Sequence, residues 1–401
     1  MAFGHQREQG RRVLLRAIER HGPIPRIDLS QVTGISRATV TTTTADLLRE
    51  GLIEEVPRQD GAETSRGRPR VDLKLRGDAH CVAGIKVSDT TISVMLSDFV
   101  GTELASLDVD LPKGPNAADA LADRIANVVQ TLAESIGKNL SDLSGVGVGL
   151  AGIVDAQNGT VYWSPSLSAR NINFRDILSL RMGVPAFLDN DANLVAMAEK
   201  SFGLGRGHSD FIVVIIESGV GMGIVLNDQI YRGTRGCGAE FGHTKVQLAG
   251  ALCRCGQRGC LEAYVADYAM LREAASVGAI DHTLSPTKQF EQLLAAAKAQ
   301  DPTAETIVAR AGHMFALGLA NLVNVFDPEL IILAGEQMKF DHLYAEEVIA
   351  EMRKSIVQID KAPPEVVIHK WGNQMWASGA AAYALDFVYD MAAKDVREDA
   401  G

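Results

Sequence analysis

No apolar run in the 401 residues approaches the roughly 18 needed to span a bilayer, and the opening MAFGHQREQGRR lacks the apolar core of a secretory signal. The chain is therefore read as cytoplasmic, with no membrane contact. Cysteine is sparse as well: there are five, an odd number that cannot close into a complete disulfide framework. Net positive charge is missing too, and the total of -11 argues, taken whole, against nucleic acid as a partner. What remains is a globular chain, 46% apolar and 22% charged, long enough for two or three domains.

The charge is unevenly divided. Residues 1–77 carry 14 Lys and Arg against 10 Asp and Glu, a net +4, whereas the rest carries 25 against 40, a net -15. Thirteen of those 14 cations are Arg. An Arg-rich module on an acidic body suits phosphate contact, because the body repels DNA while the module touches it. The plainer alternative is a solvated surface.

The same segment reads as three helices and a wing. Val13, Leu14 and Ile18 recur at helical spacing until Gly22-Pro23 stops the pattern. A short helix is expected over Arg26 to Thr33, and Gly34 then supplies a turn. Ser36 is a good N-cap for a third helix from Arg37 to about Glu50, where Gly51 ends it. Two strands, Leu52 to Val56 and Val71 to Leu75, flank a basic loop. The third helix places Arg37, Thr39, Thr41 and Thr42 near its start, short or basic side chains that suit a helix in the major groove. Thr methyls can meet thymine methyls, and Arg37 can reach guanine or phosphate. Arg66, Arg68 and Arg70 of the wing can enter the minor groove or clamp the backbone. Residues 1–77 are accordingly expected to form a winged helix-turn-helix; the alternative is a plain helical interaction module.

From residue 78 the texture becomes α/β, with nine strand candidates and a clear helix over 118–136. GIKVSDTTISVMLSD (84–98) and IESGVGMGIVLND (216–228) form a weak internal repeat, which suggests two similar lobes around a cleft.

Three cysteines crowd together. His243, Cys253, Cys255 and Cys260 form H-x9-C-x-C-x4-C, a closed Cys3His donor set for one tetrahedral Zn²⁺. With four protein ligands no water is left to activate, so the zinc is expected to be structural. The alternative, reduced cysteines packed as small hydrophobes, is the favoured reading for Cys81 and Cys237. A second cluster is polar: Asn190-Asp191-Ala192-Asn193, Glu240-Phe241-Gly242-His243 and Gly259-Cys260-Leu261-Glu262. Carboxylates and an amide converging on a cleft can bind several sugar hydroxyls at once, and His243 would join that pocket to the metal loop.

These motifs, with GVGLAGIVDAQNGTVYWSPSL, ISRATV, SRGRPR and NVFDPELIILAGE in the same order, resemble the ROK family of repressors and sugar kinases over nearly the whole chain. The resemblance implies an actin-like ATPase (ribonuclease H-like) body of two lobes, with 78–200 as the small lobe completed by about 376–395, and 201–375 as the large lobe. It implies sugar contacts from Gly152, Asn190, Asp191, Glu240, His243 and Glu262, with Asp191 as general base in a kinase. It also implies a homodimer or homotetramer.

Departures from the kinase pattern bear on activity. Family kinases carry a phosphate loop like G-I-D-I-G-G-T-K; here Gly84-Ile85-Lys86-Val87-Ser88-Asp89-Thr90-Thr91 puts Lys86 at the Asp and Ser88 and Asp89 at the glycines. A carboxylate about 4 Å from phosphate costs roughly 1–4 kcal/mol. Glu217-Ser218-Gly219 and Ala334-Gly335-Glu336 are eroded too. The expectation is a regulator of carbohydrate genes that binds operator DNA as a dimer and senses a sugar or sugar phosphate. Its alternative is an ATP-dependent sugar kinase. A third reading has the body bind a sugar-transport component, although the complete hydroxyl-binding set favours free sugar.

Overall fold

The computed structural model describes residues 2–58, 71–88, 90–335, 338, 340–343, 345–370 and 374–394, residues 2–6 by their backbone alone. Three helices come first, α1 (Ala2–His21), α2 (Arg26–Thr33) and α3 (Arg37–Arg49), then the antiparallel pair β1 (Ile53–Pro57) and β2 (Val71–Leu75). Next come β3 (Cys81–Val87), β4 (Thr91–Asp98), β5 (Glu103–Asp110), α4 (Ala118–Ser135) and β6 (Gly145–Leu150). The short strands β7 (Ile153–Asp155), β8 (Thr160–Trp163) and β9 (Ile172–Asn173) lead to α5 (Phe174–Met182), β10 (Ala186–Asn190) and α6 (Asp191–Ser201). The rest runs β11 (Phe211–Ile216), β12 (Val220–Leu226), β13 (Gln229–Ile230), α7 (Glu262–Val265), α8 (Asp267–Ser276), α9 (Pro286–Lys298) and α10 (Pro302–Phe326). It ends with β14 (Leu330–Ala334), α11 (Glu346–Ser355), β15 (Glu365–Ile368) and α12 (Met375–Ala393).

The chain divides into two compact units, Met1–Asp189 with Trp376–Gly401, and Asn190–Met375. Each holds one five-stranded sheet, ordered β5-β4-β3-β6-β10 in the first and β13-β12-β11-β14-β15 in the second. The two match strand for strand. An antiparallel meander (β3-β4-β5 or β11-β12-β13) is followed by a strand added parallel to its first member, β6 on β3 and β14 on β11. The weak repeat in the sequence is therefore the β3–β4 and β11–β12 hairpins of a duplicated sheet.

In the first unit the three N-terminal helices form as the caps dictate. Ser36 Oγ accepts from Thr39 N at 3.2 Å to start α3, and Gly34, at φ +69°, closes α2 in the left-handed region that favours glycine. Leu14, Leu15 and Ile18 are buried, whereas Val13, expected in the core stripe, is partly exposed. The core they enter is shared. It includes Leu47, Leu73 and Leu75, strand residues Val82 and Met95, and Ala381, Leu385 and Val388 of α12. The C-terminal helix is thus part of the hydrophobic core of the N-terminal helices.

Helix α12 also lies tight on the first sheet. A Cβ on Gly84 of β3 would sit 1.9 Å from Ala377 O, and one on Gly147 of β6 would sit 1.9 Å from Ala380 O. Only glycine allows backbone that close, so both strand glycines are contact points for the helix.

The second unit packs α9, α10 and α11 on one face of its sheet, around Phe290, Phe315, Leu319, Ile331 and Met352. Asp301 caps α10 by accepting from Thr303 N and Ala304 N. By length and composition α10 could cross a membrane, but Ile307, Ala311, Phe315 and Leu319 are buried in this core.

His342 is buried beside that core, with ring centroids 5.5 Å from Phe290 and 6.4 Å from Phe340. Among the described residues neither of its ring nitrogens has a hydrogen-bond partner. Burial pushes its pKa down to about 4, with Asp341 pulling it up and Lys298 pushing it further down. The folded chain keeps this imidazole neutral, while the unfolded chain takes up a proton below about pH 6.5. Stability that is full above about pH 6.5 is therefore lost as pH falls toward 4, by roughly 3 kcal/mol from this residue. Urea melts near pH 7 and about pH 4.5 should show a smaller acid loss in His342→Phe than in the wild type. Equal losses would mean that His342 does not carry it.

Candidate functional site

Two groups of the expected site residues come together in the second unit. Asn190 ends β10 and caps α6, its Oδ1 accepting from Ala192 N at 2.9 Å; Asp191, the first residue of α6, accepts from the same N–H at 3.0 Å. Glu240 precedes the 3₁₀ turn Phe241–His243, and Ala239 before it is held at φ +77°, a left-handed conformation unusual for alanine. Glu262 opens α7 and is buried, with Oε2 accepting from Val220 N at 3.4 Å. Burial pushes the Glu240 carboxyl up, His243 opposes that, and the charges of Asp191 and Glu262 push in the same direction as burial. Two further carboxylates thus act on Glu240, itself about half exposed. Such a set accepts hydrogen bonds from hydroxyls in several directions.

The loop between His243 and Glu262 folds back on itself through Val246 N to Gly259 O (2.9 Å), Cys253 N to Gln257 O (2.8 Å) and Leu261 N to Thr244 O (2.9 Å). This brings one ligand atom each of His243, Cys253, Cys255 and Cys260 within 4.8 Å of one another, a group that could hold a metal ion. The spacing fits a tetrahedron. Metal–sulfur bonds of about 2.3 Å hold two sulfurs about 3.8 Å apart, and Cys255 Sγ lies 3.7 Å from Cys260 Sγ. Cys253 Sγ is likewise 3.7 Å from His243 Nδ1. Burial pushes the Cys253 thiol up, whereas, against its own burial, backbone and cysteine hydrogen bonds and Lys245 hold Cys255 below the ordinary thiol range.

The metal group and the carboxylates touch through His243. Its Nδ1 faces Cys253, and its Nε2 lies 3.9 Å from Glu240 Oε2. If Nδ1 takes the metal, Nε2 must carry the proton and becomes a donor toward Glu240. A second connection escaped the motif reading. The Tyr268 hydroxyl donates to Glu262 Oε1 at 3.1 Å and lies 3.8 Å from Cys253 Sγ, while the Arg254 guanidinium stacks on the Tyr268 ring at 3.6 Å. Lys245 also reaches Cys260 Sγ, at 2.8 Å. Only Arg254, between two cysteines, carried a sequence signal.

The other site residues lie in the first unit. Gly152 follows β6 at φ +116°, and a Cβ there would meet Trp163 O at 2.2 Å, so the position requires glycine. Lys86 of β3 places its ammonium 3.3 Å from the Trp376 ring centroid. Ser88 Oγ donates to Thr91 O and accepts from Thr91 N, both at 3.0 Å, closing the turn on itself. Arg37, Thr39, Thr41 and Thr42 are exposed on α3. The wing residues Arg66, Arg68 and Arg70 lie outside the described residues, as do Asp89 and Glu336.

Fold and donor set define the class of protein: a winged-helix module joined in one chain to an actin-like body of the sugar-kinase fold. The chain belongs to the ROK family, whose model matches residues 82–386, and a MarR family model matches residues 9–60. It is similar to the xylose repressor of Bacillus spizizenii, 26% identical over 380 residues, which span 95% of this chain and 96% of the relative. A solved structure of a ROK family transcriptional regulator, a homologue of the Escherichia coli MLC protein, superposes with a TM-score of 0.82 at 24% identity, covering 97% of this chain and 99% of the other. The ROK hexokinase of Thermus thermophilus superposes with a TM-score of 0.67 at 28% identity, covering 77% of this chain and 99% of the other.

Proposed function

We propose that the chain is a sugar-responsive transcriptional repressor that binds operator DNA as a dimer and carries one structural zinc on His243, Cys253, Cys255 and Cys260. The observation that carries this reading is that one chain joins an exposed recognition helix to a carboxylate cluster contacting a Cys3His set. The xylose repressor it resembles matches along 95% of the chain, winged helix included. Asn190, Asp191, Glu240, His243 and Glu262 bind the hydroxyls of a sugar or sugar derivative. A zinc ion held by His243, Cys253, Cys255 and Cys260 would leave His243 its proton on the other ring nitrogen and fix the path of the chain into Glu262.

A second reading, an ATP-dependent sugar kinase with Asp191 as base, is favoured by the likeness to the hexokinase. Against it stands Lys86, stacked on Trp376 where family kinases carry an Asp. Thermodynamic linkage decides. If the sugar acts by shifting operator affinity, a coupling of about 1–3 kcal/mol changes that affinity 5-fold to 150-fold, and operator must change sugar affinity by the same factor. Titrating a panel of sugars and sugar phosphates with and without operator should give different Kd values in the wild type and no sugar binding in Glu262→Ala. Sugar binding with identical Kd values would remove the sensor reading. A sugar-dependent ATPase at about 1–100 per second would promote the kinase.

A further inference from the structure

Between Arg37 at its start and Arg49 at its end, the face that α3 presents to solvent consists of short side chains. Ala38, Thr41, Thr42 and Ala45 are exposed at positions i, i+3, i+4 and i+7, one stripe of the helix, while Val40, Thr43, Thr44 and Leu47 are buried on the other side. The threonine hydroxyls on this face are already engaged. Thr41 Oγ1 donates to Arg37 O at 2.8 Å, Thr42 Oγ1 donates to Ala38 O at 3.1 Å, and Thr39 Oγ1 lies 2.9 Å from Ser36 Oγ. A hydroxyl bonded back to the i−4 carbonyl is turned toward the helix, leaving the γ-methyl as the outward group.

We propose that α3 reads its half-site through thymine methyl groups: the Thr41 and Thr42 methyls, flanked by Ala38 and Ala45, pack against the C5-methyls of A·T pairs in the major groove. This rests on the chain being a DNA-binding regulator and names what its reading helix recognises. The stripe carries no Asn, Gln, Asp or Glu, the side chains that pair with adenine or cytosine edges. Arg37, at the first turn, is a long donor beside it that can pair with a guanine at the edge of the site, whereas Arg49 at the far end is paired with Asp46. Short side chains also let the helix sit deep, where methyl contact requires van der Waals distance. Each half-site is thus a run of A·T pairs bounded by guanine.

Chemistry separates methyl from hydroxyl readout. The full-length protein is used to select a site from a random duplex library, and each thymine of the selected half-site is then replaced in turn by deoxyuridine, which lacks only the methyl. Losing one buried methyl should weaken binding about fourfold. Thr41→Ser keeps the hydroxyl and loses the methyl, so it should bind about fourfold more weakly and no longer distinguish thymine from uracil at one position. Thr41→Val keeps the methyl and should retain wild-type affinity and the thymine preference; Thr42 variants should behave likewise at a neighbouring pair. The inference is overturned if uracil substitution changes nothing in a selected site, or if the Ser variants bind normally while the Val variants fail. No enrichment from the library would instead remove the DNA-binding reading, and this inference with it.

Discussion

Stripping the metal from the full chain is expected to unfold the loop from His243 to Glu262 and abolish sugar binding. Structural zinc held by such donor sets contributes about 10–16 kcal/mol of apparent binding free energy in small peptides, and that energy is folding energy for the segment that wraps the ion. Hydrogen bonds tie the loop together, but its apolar core is small. Its cysteine cluster is small, packed with Ala251, Ala263 and Tyr264, and Cys255 is exposed. Loss of the ion frees His243 Nδ1 to exchange its proton with Nε2, the atom facing Glu240. It also removes the anchor of the chain two residues before Glu262. Cys255→Ser should therefore return less than one zinc per chain by elemental analysis, melt at lower temperature, and bind no sugar by calorimetry. The exposed winged helix is in the other unit, so the variant should still bind operator but no longer respond to sugar. A variant without metal whose melting temperature and sugar affinity match the wild type would end the structural-zinc reading.

What the sequence made legible is what depends on local chemistry. Strands Cys81–Val87, Thr91–Asp98 and Phe211–Ile216 and helix Arg26–Thr33 match their expected bounds, because apolar periodicity, glycine stops and caps act within a few residues. The grouping of His243, Cys253, Cys255 and Cys260, which could hold a metal ion, was legible because one short loop supplies all four. Less legible was what depends on distant partners. The strands β7, β8 and β9 are two to four residues long and carry no periodic signal. Tyr268 and Lys245 became site neighbours only through the fold of the loop.

The N-terminal Arg excess shows the same limit. It is real, but in the described residues much of it is neutralised within the chain. Arg7 and Arg49 pair with Asp46, Arg26 with Glu55, Arg76 with Asp78, and Arg12 and Arg16 with Asp390 and Asp386 of α12. Charge counting identified a module different from the body. It could not say that a share of the arginines fastens that module to the C-terminal helix.

Arg11 adds to those fastenings, and replacing it is expected to cost about 1.5–3 kcal/mol, the range for hydrogen bonds to a charged group. Its side chain is fully buried. Nη1 and Nη2 donate to the two carboxylate oxygens of Glu50, the residue that caps α3, with Nη1 at 3.0 Å. Nε donates to Ala393 O at 2.9 Å, and Nη2 to Ala392 O at 3.0 Å. Those carbonyls belong to the last turn of α12, where helix geometry leaves acceptors without intrahelical partners and the dipole favours a cation. One guanidinium thus holds α1, the end of the recognition helix and the end of α12 together. Arg11→Met fills much of the volume but leaves a part-buried carboxylate and two carbonyls without their donor. Urea unfolding should show the loss directly, and operator affinity should fall, because α3 loses the partner of its C-cap. Adding Glu50→Leu removes the stranded charge and should recover part of the stability. The same α12 rests on Gly84 and Gly147 of the first sheet, so loosening its far end should also shrink any change in operator affinity produced by sugar. If Arg11→Met loses less than about 1 kcal/mol and keeps the wild-type sugar response, α12 is not what holds the reading helix to the body.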